Sequence, residues 1–235
     1  MPRTPSRSPK VPAPAAKRPG QEMPLADKAY RAILQGLFDR TIPAGAELSQ
    51  SELAAKLNLT AQPLRDALLK LEAEGLVTIH ARSCIRFVKA DLELSRATYQ
   101  FRSLIERAGA RTFAETGDAQ IIEALIDDHR RLMSEIEAGG LGIRQSETLG
   151  ALEDRFHGAL LGALRNPLIE TTARRLKNYV TLVRLDWLVT APLALRTLRE
   201  HLDVLNACAR RDADTAEAAL TAHFQQALQR LLGMA

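Results

Sequence analysis

The sequence predicts a mainly α protein. An N-terminal winged helix-turn-helix with a small β-hairpin is followed by an all-α antiparallel bundle of about six helices. Three observations predict this. Apolar residues recur at helical spacing through most of the chain. Two short helices with hydroxyl caps follow one another across a tight turn at residues 49–75. Past residue 90 no strand pattern appears, while β-branched runs flank Ala81-Arg82-Ser83-Cys84 just before it.

The first twenty residues hold five bases, no acid and six of the eleven prolines. So few apolar side chains cannot offset the entropy of ordering, and residues 1–22 read as a disordered basic tail. It reads as a solvated arm; the functional alternative is an arm that screens phosphates and adds non-specific affinity for nucleic acid. The chain as a whole carries +4, but residues 91–235 are net −2, so the high pI describes the tail more than the body. No apolar stretch approaches the ~18 residues needed to span a bilayer, so no membrane segment is expected. Cys84 and Cys208 form no disulfide framework and no zinc spacing, which fits a reduced, cytoplasmic setting.

Residues 23–90 form the first expected domain. Leu25, Ala29, Ile33, Leu34 and Leu37 make one helical face, which should end near Arg40 before the turn Ile42-Pro43-Ala44-Gly45. Ser49-Gln50-Ser51-Glu52 is a capping box opening a short helix through Leu57. Asn58 suits a left-handed helix end, Thr60 is the next N-cap candidate, and Pro63 falls in a first turn where its missing N–H costs little. Leu64, Ala67, Leu68 and Leu71 point inward until Gly75. A second helix of such a pair normally enters the major groove by its N-terminal residues. The candidate DNA contacts are therefore Thr60, Gln62 and Arg65, with Ser49 at the preceding cap and Arg82 in the wing.

These residues resemble a known family. The runs Ile42–Ser49, Glu52-Leu53-Ala54, Pro63–Leu68 and Leu71–Val77 are similar, in order and spacing, to the winged-helix domain of GntR-family bacterial transcription regulators. The resemblance implies a homodimer that binds an inverted-repeat operator in double-stranded DNA, most often as a repressor. Where the family usually opens the recognition helix with Ser-Arg, this chain has Thr60-Ala61, and its wing tip lacks the usual glycine.

Residues 91–235 form the second expected domain, with helices near 92–115, 118–138, 146–164, 167–189, 192–210 and 213–232. Gly139-Gly140, Asn166-Pro167, Ala191-Pro192 and Asp212-Ala213-Asp214 mark breaks. Glu153 and His157 are four apart and share a helix face at the edge of the Leu149, Leu152, Phe156, Leu160 stripe, whereas Asp154 points away. His201 and His223 are equidistant from Asp212, so an antiparallel hairpin sets them level. Three inward histidines and one carboxylate suit a divalent metal, zinc first and nickel second. His80 reads as wing surface and His129 as solvated.

Glu153–His157, Asn166-Pro167-Leu168, Glu200-His201 and His223 resemble the FCD ligand-binding domain of FadR-type regulators, and six helices resemble its VanR-like branch. The resemblance implies a small organic acid as effector and a metal held by Glu153, His157, His201 and His223. In metal-binding members an aspartate stands at the position of Glu153. Arg102 and Glu106 match an Arg-x-x-x-Glu pattern of that domain, making Arg102 the candidate anchor for the effector carboxylate.

The chain is not expected to be an enzyme. The rival reading is a metalloenzyme fused to a DNA-binding domain, since a metal with three histidines and a carboxylate can activate water, but His-Glu-x-x-His is absent. A second rival is an architectural DNA-binding protein whose histidines only pack.

Overall fold

A computed structural model describes residues 23–80, 84–185 and 189–231. The basic tail and the wing tip, Arg82 included, lie outside the described residues. The N-terminal elements are α1 (Leu25–Phe38), β1 (Glu47–Ser49), α2 (Gln50–Leu57), α3 (Ala61–Ala73), β2 (Val77–His80) and β3 (Cys84–Phe87). The bundle follows as α4 (Leu92–Thr116), α5 (Ala119–Gly139), α6 (Ile143–Ala163), α7 (Pro167–Arg184), α8 (Ala191–Ala209) and α9 (Ala213–Leu231).

The caps set the helix-turn-helix. Ser49 Oγ accepts from the Glu52 backbone N–H, and the Glu52 carboxylate accepts from the Ser49 N–H, so two orphan donors of α2 are satisfied. Asn58 then takes a left-handed conformation (φ 51°, ψ 49°), and the chain re-enters a helix within three residues. Thr60 occupies the N-cap position of α3, but its side chain makes no capping hydrogen bond. Ala29, Ile33, Ile42, Leu53, Leu64, Leu68, Leu71, Ile85 and Phe87 are buried together beneath α3.

The hairpin forms where β-branched residues recur, with Ile79 opposite Ile85 and Val77 opposite Phe87. A third strand, β1, pairs antiparallel with β3 and gives the order β1-β3-β2. Three partly exposed residues carry too little alternation for the sequence to announce β1; the pairing of Leu48 with Ile85 creates it.

In the bundle, Tyr99, Phe113, Ile122, Leu125, Phe156, Leu160, Leu198, Leu205, Leu220 and Phe224 form one buried cluster. α4 lies against α6 and α9, and α8 against α5 and α9. Gly109 permits the α4–α6 crossing: a Cβ there would stand 2.5 Å from the Leu160 carbonyl oxygen. α6 begins at Ile143, earlier than the expected 146, and α7 ends at Arg184, short of 189. α7 also bridges the two cores: Val183 is buried in the bundle cluster, whereas Leu182 is buried in the winged-helix cluster with Tyr179 and Leu185 packed beside it.

Candidate metal and effector site

Three helices converge on one point. Glu153 and His157 come from α6, His201 from α8 and His223 from α9, and all four are buried. Nitrogen atoms of His157, His201 and His223 can be chosen that all lie within 4.8 Å of one another. The rings of His201 and His223 stand 4.8 Å apart across the α8–α9 hairpin. Glu153 faces the same point, with Oε1 3.6 Å from His201 Nε2 and Oε2 4.0 Å from His157 Nε2. Asp154 is exposed and pairs with Lys177.

Each histidine is held by its other nitrogen. His157 Nδ1–H donates to Glu106 Oε2 at 2.5 Å, and His223 Nδ1–H donates to Glu200 Oε2 at 2.7 Å. An ionised carboxylate can only accept, so these contacts assign both tautomers and leave Nε2 as the basic nitrogen. His201 is fixed by a relay. The Leu125 carbonyl lies 2.7 Å from His129 Nδ1, which must therefore carry its proton. His129 Nε2 is then an acceptor, 3.2 Å from His201 Nδ1. His201 Nε2 is left with a bare lone pair, and neither it nor His157 Nε2 has a hydrogen-bond partner. Buried acceptors without partners are costly, and such outer partners characterise metal-binding histidines.

His129 corrects an expectation. It is fully buried, not solvated, because α5 packs on α8 and brings the His129 ring against His201. Its spacing in the stripe Ile122, Leu125, Ile126, His129, Leu132, Ile136 is the sequence signal that could have found it.

Electrostatics suit a cation. Burial pushes the His157 imidazole down to about 4, only partly opposed by Glu106, and drives His201 well below its ordinary range. Both rings are therefore neutral, the form that ligates metals. Burial acts to raise Glu106 and Glu153, but their partners win. The Arg102 charge and the hydrogen bonds from Arg102 and His157 bring Glu106 to about 2, and Arg184, 2.5 Å from Glu153 Oε2, holds Glu153 well below the carboxylate range.

A cavity of about 420 Å³ opens beside His157 and Glu153, walled by α4, α6 and α7. Arg102 lines it. Its guanidinium is buried, pairs with Glu106 at 2.7 Å through Nε, and leaves one terminal nitrogen without a hydrogen-bond partner. A second cavity of about 200 Å³ lies on the His223 side, bounded by Arg230 and Thr197. Arg230 clamps Glu200 with both terminal nitrogens, at 2.8 and 3.0 Å.

The DNA-facing candidates are distant from this site. Thr60, Gln62 and Arg65 are exposed at the start of α3, and Gln62 donates to Asp66 within that helix. The Ser49 hydroxyl is engaged in its capping box. His80 is exposed at the end of β2.

Comparison with known proteins agrees with this layout. Residues 25–87 match bacterial regulatory proteins of the gntR family, and residues 97–226 match the FCD domain. The chain belongs to the GntR family, in its FCD-domain group. This GntR regulator is 30% identical over 206 residues to the HTH-type transcriptional repressor RspR of Escherichia coli K12, covering 86% of this chain and 87% of that one. It is 29% identical to the Nta operon transcriptional regulator of Aminobacter aminovorans, over 80% and 85% of the two chains. Among solved structures it shares its fold with a GntR regulator from Rhodococcus (TM-score 0.69, 21% identity, 89% and 98% covered). Escherichia coli McbR/YncC is similarly alike (TM-score 0.68, 16% identity, 90% and 99% covered). Like its relatives, the GntR regulator described here is a DNA-binding transcription regulator. No helix among its described residues is long and apolar enough to cross a membrane.

Proposed function

We propose that this protein is a metal-dependent, effector-responsive repressor that acts as a homodimer on an inverted repeat. One observation carries the sensing half. Three buried imidazoles converge, with Nε2 of His157 and His201 left without a hydrogen-bond partner and the Nδ1 atoms of all three held by Glu106, Glu200 and His129. That donor set fits a divalent ion, zinc first and nickel second, with Glu153 as the anionic fourth ligand. Three neutral imidazoles and one carboxylate leave such a centre at +1, and the residual charge attracts an anionic ligand. Arg102, with a buried and incompletely paired guanidinium on the adjoining cavity, anchors the carboxylate of a small organic acid there.

The DNA-binding half rests on α3. Thr60, Gln62 and Arg65 face the major groove, with Ser49 at the α2 cap; Arg82, outside the described residues, is the further candidate contact. A single recognition helix reads only a few base pairs, so paired half-sites on a two-fold dimer are the physical solution. The chain's similarity to RspR, named a transcriptional repressor, supports repression.

The test is metal analysis of purified wild-type and His223→Ala protein. It is followed by selection of bound DNA from a random pool with and without a panel of organic acids. One equivalent of metal per wild-type chain, lost in the variant together with the acid response, supports the reading. Metal-free protein that still releases DNA on acid binding overturns it.

A further inference from the structure

α7 touches both halves of the molecule with opposite faces. At about 100° per residue, Ala173, Leu176, Lys177, Val180 and Arg184 share the face that walls the larger cavity. Tyr179, Leu182 and Leu185 lie on the other face, packed into the winged-helix core. That second face grips one place in particular, the C-terminal end of the recognition helix. Tyr179 Oη donates to the Glu74 carbonyl at 2.7 Å, and Glu74 is the C-cap of α3. Tyr30 Oη donates to the Glu74 carboxylate at 2.6 Å and accepts from Asn178 of α7 at 3.2 Å. Gly75 admits the contact, because a Cβ there would meet Tyr179 Oη at 2.4 Å. Arg40 closes the lower end by donating to the Leu185 carbonyl.

On the cavity face, Arg184 is the residue that reaches the candidate metal centre. Its guanidinium lies 2.5 Å from Glu153 Oε2 and lines both cavities, so it forms the partition between them. It thereby supplies the positive charge that a buried carboxylate requires.

We infer that Arg184 is the resident counter-ion of Glu153 and that α7 carries the state of this pair to the recognition helix. The inference rests on the metal reading above. When the histidine cluster is loaded, Glu153 turns its charge toward it and Arg184 loses its carboxylate partner. The last turn of α7, shared with Leu182 and Leu185, then shifts against α3. Arg184 is a positioning residue here, acting through Glu153 and through the helix that bears it.

Zinc alone is the probe. Metal-stripped wild-type protein, Arg184→Gln, Arg184→Lys and Tyr179→Phe are titrated with zinc by calorimetry, and amide hydrogen exchange is followed over residues 70–76. Removing the charge should tighten zinc binding by about tenfold or more, since a nearby cation no longer opposes the ion. Arg184→Lys should stay near wild type. Wild-type protein should change exchange at 70–76 on zinc addition. Arg184→Gln should lose that change while binding zinc. Tyr179→Phe should bind zinc like wild type and lose the change, which keeps the test open if the Arg184 variants fold poorly. Wild-type protein that binds no zinc overturns the metal reading and this inference with it. Zinc binding unaltered by Arg184→Gln, or a zinc-dependent change at 70–76 that survives in it, overturns this inference alone.

Discussion

His129 Nε2 lies 3.2 Å from His201 Nδ1, and that contact decides which nitrogen of His201 faces the cluster. The Leu125 carbonyl sets the His129 proton, His129 sets the His201 proton, and His201 Nε2 is left bare. Orientation is thus passed from a backbone carbonyl on α5 through two rings to the centre of the bundle.

His129→Leu should therefore weaken metal binding without removing a ligand. Loss of an outer partner of this kind typically costs about 10–100-fold in metal affinity. A competition titration of zinc against a chelator checks it, with circular dichroism confirming that the helices persist. Wild-type affinity in this variant would remove His129 from the site.

Arg65→Ala addresses the other end of the protein. Arg65 is exposed on the first turns of α3 and lies outside both buried clusters. The substitution should cost about 1–3 kcal/mol of operator affinity per bidentate base contact. Thermal stability should be unchanged. Gel shifts on the selected operator measure the first, and a melting curve the second; equal operator affinity would move the base-reading role elsewhere on α3.

Gly75 and Tyr179 should behave as a coupled pair. Gly75 has φ 77°, a left-handed conformation that costs an L-residue about 1–2 kcal/mol. Alanine there also drives its Cβ toward Tyr179 Oη. Gly75→Ala should destabilise the protein, and the double variant with Tyr179→Phe should lose less than the two single variants combined, because the clash goes with the hydroxyl. Denaturant unfolding of all four proteins measures the coupling; strict additivity would mean that the two residues do not meet.

Tyr30 supplies a pH test away from the metal centre. Burial, reinforced by its hydrogen bond to Glu74, raises its phenol from about 10 to about 12. A raised folded-state value means that folding favours the neutral phenol. Its contribution is fully present below pH 10 and is lost as the pH rises through about 12. Tyrosinate absorbance should show a late-titrating tyrosine that Tyr30→Phe removes, and the alkaline loss of stability should be shallower in that variant. An unchanged alkaline titration after the substitution would sink the assignment.

The sequence by itself determined the local elements and the type of protein. Capping at Ser49, the left-handed Asn58 and the inward run Leu64, Ala67, Leu68, Leu71 are short-range signals, and they specify the helix-turn-helix without help from the rest of the chain. Helical spacing likewise put Glu153 and His157 on one face, and equal distance from Asp212 set His201 level with His223. Tertiary structure alone decided what surrounds them. Nothing within α5 says that its His129 edge meets α8, so that residue looked solvated. Nothing within α4 says that Gly109 lets Glu106 reach His157. Nothing within α7 says that Arg184 turns to Glu153 while Tyr179 turns to Glu74. Periodicity reports how a helix divides into faces, but the partner of each face depends on packing between segments 31 to 105 residues apart, as in Arg184–Glu153 and Tyr179–Glu74. That long-range choice is what turns four legible side chains into a site.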